Sequence, residues 1–201
     1  MNEPLTTAHV ELMSEERAAD SRTIFGFWVY LMTDCVLFAS LFATYAVLHG
    51  NTFGGPGSAV FSLPFVLLET FVLLTSSFTS GLSVVAARDG KTRQVLAWLG
   101  VTFILGALFV GLEVSEFIRL ALSGESWSGS AFLSSYFTLV GTHGLHVAAG
   151  LVWMVMLGAR VAQRGITRAN VRKLFMLGMF WHFLDIIWIF IFTIVYLVDA
   201  L

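Results

Sequence analysis

Apolar runs of twenty or more residues, parted by short polar or glycine-rich connections, dominate the chain and leave it few ways to fold. In hydrocarbon every backbone N–H and C=O needs an internal partner, so a segment that crosses a bilayer does so as a helix or as part of a closed barrel. A helix rises ~1.5 Å per residue, and the hydrocarbon layer is ~30 Å thick, so one crossing takes about 20 residues. The 201 residues hold five such runs, at about 24–49, 61–87, 95–120, 131–160 and 174–198. Composition agrees: 57% of residues are hydrophobic and 12% charged, with a mean hydropathy of +0.84. The expected fold class is all-α, a polytopic membrane protein with five transmembrane helices in one bundle. A net charge of −2 gives no reason to invoke nucleic acid. The single cysteine, Cys35, allows neither a disulfide framework nor a cysteine metal cluster within the chain, and it reads as a small buried apolar residue.

Residues 1–23 are polar and mildly acidic, without the basic start and short apolar centre of a secretory signal, and read as an exposed tail. Pro64 falls in the first turn of the second run, where proline is tolerated. Glycine-rich residues 50–59 and nearly uncharged residues 123–130 read as loops, and residues 160–173 as a basic connection. Putting alternate connections on opposite sides gathers Arg17, Arg22, Arg88, Lys91, Arg93, Arg160, Arg164, Arg168, Arg172 and Lys173 on one side. Only Arg119 is left on the other. The positive-inside rule then puts the amino end in the cytoplasm and the carboxyl end in the periplasm, with Trp98 and Trp127 near the interfaces. The basic connection could also meet anionic head groups, although orienting the chain already accounts for it.

Within the apolar runs lie groups that hydrocarbon does not tolerate alone. The stretch GTHGLHVAAG, residues 141–150, puts His143 and His146 on one helix face beside Gly141, Gly144 and Gly150, small residues that admit a neighbouring helix. Its natural partner is FWHFLD, residues 180–185, with His182 and Asp185. Asp34 lies ten residues into the first run, in a stripe with Tyr30, Phe38, Leu41 and Tyr45. Glu69 heads a stripe with Ser76, Ser80 and Ser83, and Glu113 and Glu116 close the third run, which also carries Gly100, Gly106 and Gly111 as contact surfaces. Counting residues puts Asp34, His143, His146, His182 and Asp185 in the middle to inner membrane and the glutamates in a second layer nearer the outer face.

A lone ionisable group at the bilayer centre costs ~2.5–3.5 kcal/mol, so these groups pair or stay neutral. Three readings compete. Pairs three residues apart can bind metal or haem in bundles, but the Glu-x-x-His pairing of di-iron bundles is missing. A proton or ion path is the second, weakened because no span is broken at matching positions of two halves. The third, which the residues favour, has polar groups cross-linking helices, with His146 and Asp185 tying the fourth span to the fifth, and docking the chain on a partner. Met176, Met179, Trp181 and Trp188 on the last run read as packing and lipid contact.

Four motifs in register, YLMTDCVLFASLFATY (30–45), FVGLEVSEF (109–117), GTHGLHVAAG (141–150) and FWHFLDIIWIFIF (180–192), closely resemble subunit III of the haem-copper respiratory oxidases. The resemblance runs from about Ile24 to the end and is strongest to the five-span branch found in bacterial bo-type ubiquinol oxidases. It implies an accessory subunit without catalytic, metal or quinone site, packed directly on subunit I, which carries the haems and copper. Subunits II and IV and membrane phospholipid would be further partners, and the bacterial cytoplasmic membrane the location. Family members are held to support assembly, lipid binding and proton uptake of a complex that oxidises ubiquinol, reduces oxygen and moves protons. The resemblance matches the family's intramembrane acid to Asp34, where cytochrome oxidases carry glutamate, its later acid to Glu116, its paired imidazoles to His143 and His146, and its WHF(V/L)D segment to Trp181, His182 and Asp185. The two amino-terminal helices of the seven-span form are absent here. A cytochrome c oxidase or nitric-oxide-reductase-associated relative, or a small proton-coupled transporter, are the other readings.

Overall fold

The computed structural model describes residues 3–50, 63–123 and 130–197. They form α1 (Glu3–Leu48), α2 (Leu63–Arg88), α3 (Thr92–Leu122), α4 (Ala131–Arg164) and α5 (Arg168–Ile191), which runs on into a six-residue π-helical end, Phe192–Leu197. Five helices, counted among the described residues, are long and apolar enough to cross a membrane. The expected loops at 50–59 and 123–130, Trp127 and residues 198–201 lie wholly or largely outside the described residues.

The first compact unit, Met1–Val36, is a single helix from Glu3 onward. Nothing between Pro4 and Gly26 breaks a helix, and Pro4 sits in the first turn, where its missing N–H has no partner to lose. The exposed-tail reading falls largely on side chains outside the described residues. Within this unit Asp34 shares a side-chain hydrogen bond with Tyr30, whereas Cys35, one position and ~100° further round, is exposed. The expectation of a buried Cys35 is thus corrected: one residue on, the helix turns its side chain to a different face from that of Asp34.

The second unit, Leu37–Leu201, is built round four helices in a closed ring, each of α2, α3, α4 and α5 packing on two others: α2 on α3, α3 on α4, α4 on α5 and α5 on α2. The end of α1 from Leu37 lies along α4 and α5, where Phe38 meets His143 and His146, Phe42 meets Phe190 and Tyr45 meets Phe132. Pro64 is the second residue of α2, as its spacing predicts. The turn into α3 is a Schellman closure: Gly90 takes φ 73°, its N–H donates to Ala87 O and that of Lys91 to Ala86 O.

The basic connection is far shorter than the apolar pattern suggests. α4 continues to Arg164 and α5 begins at Arg168, so only Gly165, Ile166 and Thr167 join them. Long basic side chains favour helix as well as Leu does, and at a membrane interface they keep their charges wet while the backbone stays hydrogen-bonded. Gly165, at φ 66°, stops α4. Thr167 caps α5 by accepting from Asn170 N, and the Asn170 side chain donates to Gly165 O.

Candidate functional site: polar groups between the helices

The seam between α2 and α5 is hydrogen-bonded along its length. Trp181 and Trp188, seven residues apart and thus near one face of α5, donate their indole N–H groups to Ser76 Oγ at 2.9 Å and Thr70 Oγ1 at 3.0 Å. Ser77 Oγ lies 2.6 Å from His182 Nδ1 and within hydrogen-bonding reach of the Asp185 carboxyl. Nearer Arg88, the Thr79 and Thr102 hydroxyls meet at 2.8 Å and join α2 to α3. The hydroxyls of Thr70, Ser76, Thr79 and Ser83 also donate to carbonyls one turn back on α2. A hydroxyl that gives its hydrogen to the backbone keeps lone pairs for an indole, so these contacts lock the seam in place.

The glycines of α4 do face other protein. A methyl at Gly150 would come 2.9 Å from the Trp181 ring, and one at Gly144 2.6 Å from Glu113 Oε2. On α3 only Gly106 acts this way, again against Trp181, at 2.8 Å; a methyl at Gly100 or Gly111 meets nothing within 4 Å. Trp181 therefore touches three helices: it fills the space left by glycines on α3 and α4 and bonds to a hydroxyl of α2.

His143 is 0% exposed, stacked on Trp188 at 5.3 Å, with Phe109 edge-on at 5.9 Å. Both its nitrogens lack a hydrogen-bond partner among the described residues. His146 lies on the same side, against Phe38 at 5.2 Å, and its Nδ1 donates to Thr142 O at 2.8 Å. The expected tie between spans four and five is made differently. His146 bonds within its own helix, Asp185 and the exposed His182 turn to Ser77 of α2, and α4 meets α5 through His143 on Trp188 and Gly150 on Trp181.

Glu69, Glu113 and Glu116 are buried at 1%, 4% and 4% exposure. Arg119 donates to Glu116 Oε1 at 2.8 Å, and the Tyr136 and Tyr196 hydroxyls meet at 2.9 Å, joining α4 to the π-helical end. The two expected polar layers are not separate, because Glu113 packs on the residue after His143. A helical side chain leans toward its helix's amino end, and that lean carries the Glu113 carboxyl toward the start of α3.

Sequence reasoning missed the indole-to-hydroxyl bonds and the tyrosine pair. The first had a signal, two tryptophans seven apart opposite a hydroxyl stripe; the second had none, since it depends on the wide last turn. Among the described residues no three His, Cys, Asp or Glu side chains are grouped to hold a metal ion.

Fold and site together define a polytopic helical membrane protein whose polar interior is closed mostly by its own side chains. The chain belongs to the cytochrome c oxidase subunit III family, whose model matches residues 13–200. It is 56% identical to the cytochrome bo(3) ubiquinol oxidase subunit 3 of Pseudomonas aeruginosa, over 100% of this chain and 98% of that one. It is 52% identical to the protein of the same name from Pseudomonas putida, over 89% of this chain and 87% of that one. The cytochrome c oxidase subunit 3 of Bacillus sp. strain PS3 is 46% identical, over 86% of this chain and 84% of that one.

Proposed function

We propose that this chain is the accessory, non-catalytic subunit III of a bacterial terminal ubiquinol oxidase of the haem-copper type. It would support assembly, lipid binding and proton uptake of a complex that oxidises ubiquinol, reduces oxygen to water and pumps protons. The observation that carries the reading is 56% identity to a ubiquinol oxidase subunit 3 over 100% of this chain and 98% of that one. The interior supports a structural part, because the hydroxyls, indoles and imidazoles between α2, α4 and α5 are used in holding helices together. Haems and copper reside, on this reading, in subunit I, its direct partner, with subunits II and IV and phospholipid completing the surroundings in the cytoplasmic membrane. Arg88, Lys91, Arg93 and the basic ends of α4 and α5 would face the cytoplasm, with the amino end inside and the carboxyl end outside.

Affinity purification from membranes tests this. A large haem-bearing subunit should co-purify, and the complex should oxidise ubiquinol. A complex that oxidises cytochrome c and not ubiquinol would move the chain to the reading that the 46% identity to the Bacillus protein favours. Purification with no haem subunit would reject both. Labelling of single cysteines placed at Ile166 and at Ser130 from either side of sealed vesicles tests the orientation; labelling of Ile166 from outside overturns it.

A further inference from the structure

We propose that Glu69, Glu113 and Glu116 form a proton-holding site, in which internal water bridges their buried oxygens and protons exchange with the aqueous phase that Arg119 faces. This goes beyond the accessory-subunit reading and does not depend on the electron donor.

One oxygen of each carboxyl, Glu69 Oε1, Glu113 Oε1 and Glu116 Oε2, is buried without a hydrogen-bond partner among the described residues. Glu69 feels the charge of Glu116, and Glu113 that of Glu69, so the three act as one electrostatic unit drawn from two helices. The hydroxyls of Tyr136 on α4 and Tyr196 on the π-helical end, bonded to each other, lie within the electrostatic reach of the same unit. His143, itself fully buried, adjoins the Gly144 on which Glu113 packs. Arg119 is the cation that pairs with the unit; its side chain is 54% exposed, and it bonds to Glu116.

Charge and geometry then restrict what can complete the site. A lone charge in the bilayer costs ~2.5–3.5 kcal/mol, and one guanidinium offsets one carboxylate, so the unit balances with Glu116 ionised and two carboxyls as neutral acids. A neutral acid offers one hydrogen and one acceptor oxygen. The matching ligand is then a small neutral molecule that both donates and accepts. A buried water makes about three hydrogen bonds to groups of this kind. Proton entry is then a transfer without redox change: a carboxylate oxygen takes a proton from a bridging water, whose lost proton is replaced from the outer phase along the Glu116–Arg119 pair. Release is the reverse.

The test is infrared difference spectroscopy of the intact membrane complex in lipid, stepped from mildly acid to mildly alkaline and repeated in D₂O. The wild type should show carboxylic-acid C=O bands that respond to pH and shift in D₂O, and Glu69→Gln and Glu113→Gln should each lose one. Glu113→Asp should keep its band, displaced. Because Arg119 is half-exposed, Arg119→Gln carries little folding risk; without the compensating cation a further acid should become neutral and the band should grow. Bands unchanged in the glutamine variants that assemble, or an Arg119→Gln spectrum identical to wild type, would overturn the proposal and leave family membership untouched.

Discussion

Trp181 closes on the bare backbone of Gly150: a methyl there would come 2.9 Å from the indole and 3.2 Å from the Phe180 ring. The same indole closes on Gly106 of α3 and bonds to Ser76 of α2, so it cannot retreat without releasing two other helices. Gly150→Ala should therefore destabilise the bundle by ~1–3 kcal/mol, the usual cost of overpacking. Gly111→Ala, which adds a methyl to open space, should cost nothing measurable. Detergent-titrated unfolding of the two variants checks the contrast, and equal stability would remove Trp181 from its central place.

The Trp181–Ser76 bond can be isolated by a double-mutant cycle. Trp181→Phe removes the donor and Ser76→Ala the acceptor, and the double variant leaves neither group unsatisfied. Hydrogen bonds between membrane helices average ~0.6 kcal/mol and reach ~1.7 kcal/mol, so a coupling energy within that range is expected. Trp181→Phe alone should be the more damaging single change, because it also empties part of the space that the indole fills between Gly106 and Gly150, whereas Ser76→Ala strands one buried indole N–H. A coupling energy of zero would mean that shape alone seats the ring.

Much of this is legible in the sequence. Apolar run lengths give five helices, and the His143 spacing with Gly144 and Gly150 predicts a face turned to protein, which is where Glu113 and Trp181 lie. The ends of α4 and α5 were not legible, because hydropathy falls at Arg160 whereas hydrogen bonding continues to Arg164. Nor could pairing be read across helices. Asp185 and His146 looked matched by chemistry, yet the rotation of α5 that seats Trp181 and Trp188 against α2 carries Asp185 to Ser77 as well. Spacing fixes which residues share a face; it does not fix which neighbour the face meets.

At the α2–α3 turn, Gly90 holds φ 73° with both Schellman bonds formed. A side chain in that left-handed region costs roughly 1–2 kcal/mol. Since space around Gly90 is open, Gly90→Ala should show the backbone term alone, and Gly90→Asn, which tolerates the conformation better, should recover part of the loss. Thermal melts of the purified complex distinguish the two; equal melting points would show that the turn relaxes freely.

Asp185 offers the sharpest division between a structural and a catalytic part for the buried polar groups. Its carboxyl and the His182 imidazole share Ser77, so Asp185→Ala should loosen the α2–α5 seam and lower retention of the chain in its complex, by ~0.6 and at most ~2 kcal/mol. His146→Ala, which loses a bond within α4 and a contact with Phe38, should act in the same direction. In either variant, oxygen reduction per assembled complex should stay near wild type, because electrons pass through haems and copper held, on the proposed reading, by another subunit. Measuring turnover against haem content, after removing complexes that have lost this chain, separates the two effects. Turnover abolished in a fully assembled His146→Ala complex would mean that the imidazole acts on the reaction itself, and the structural reading of these groups would fall.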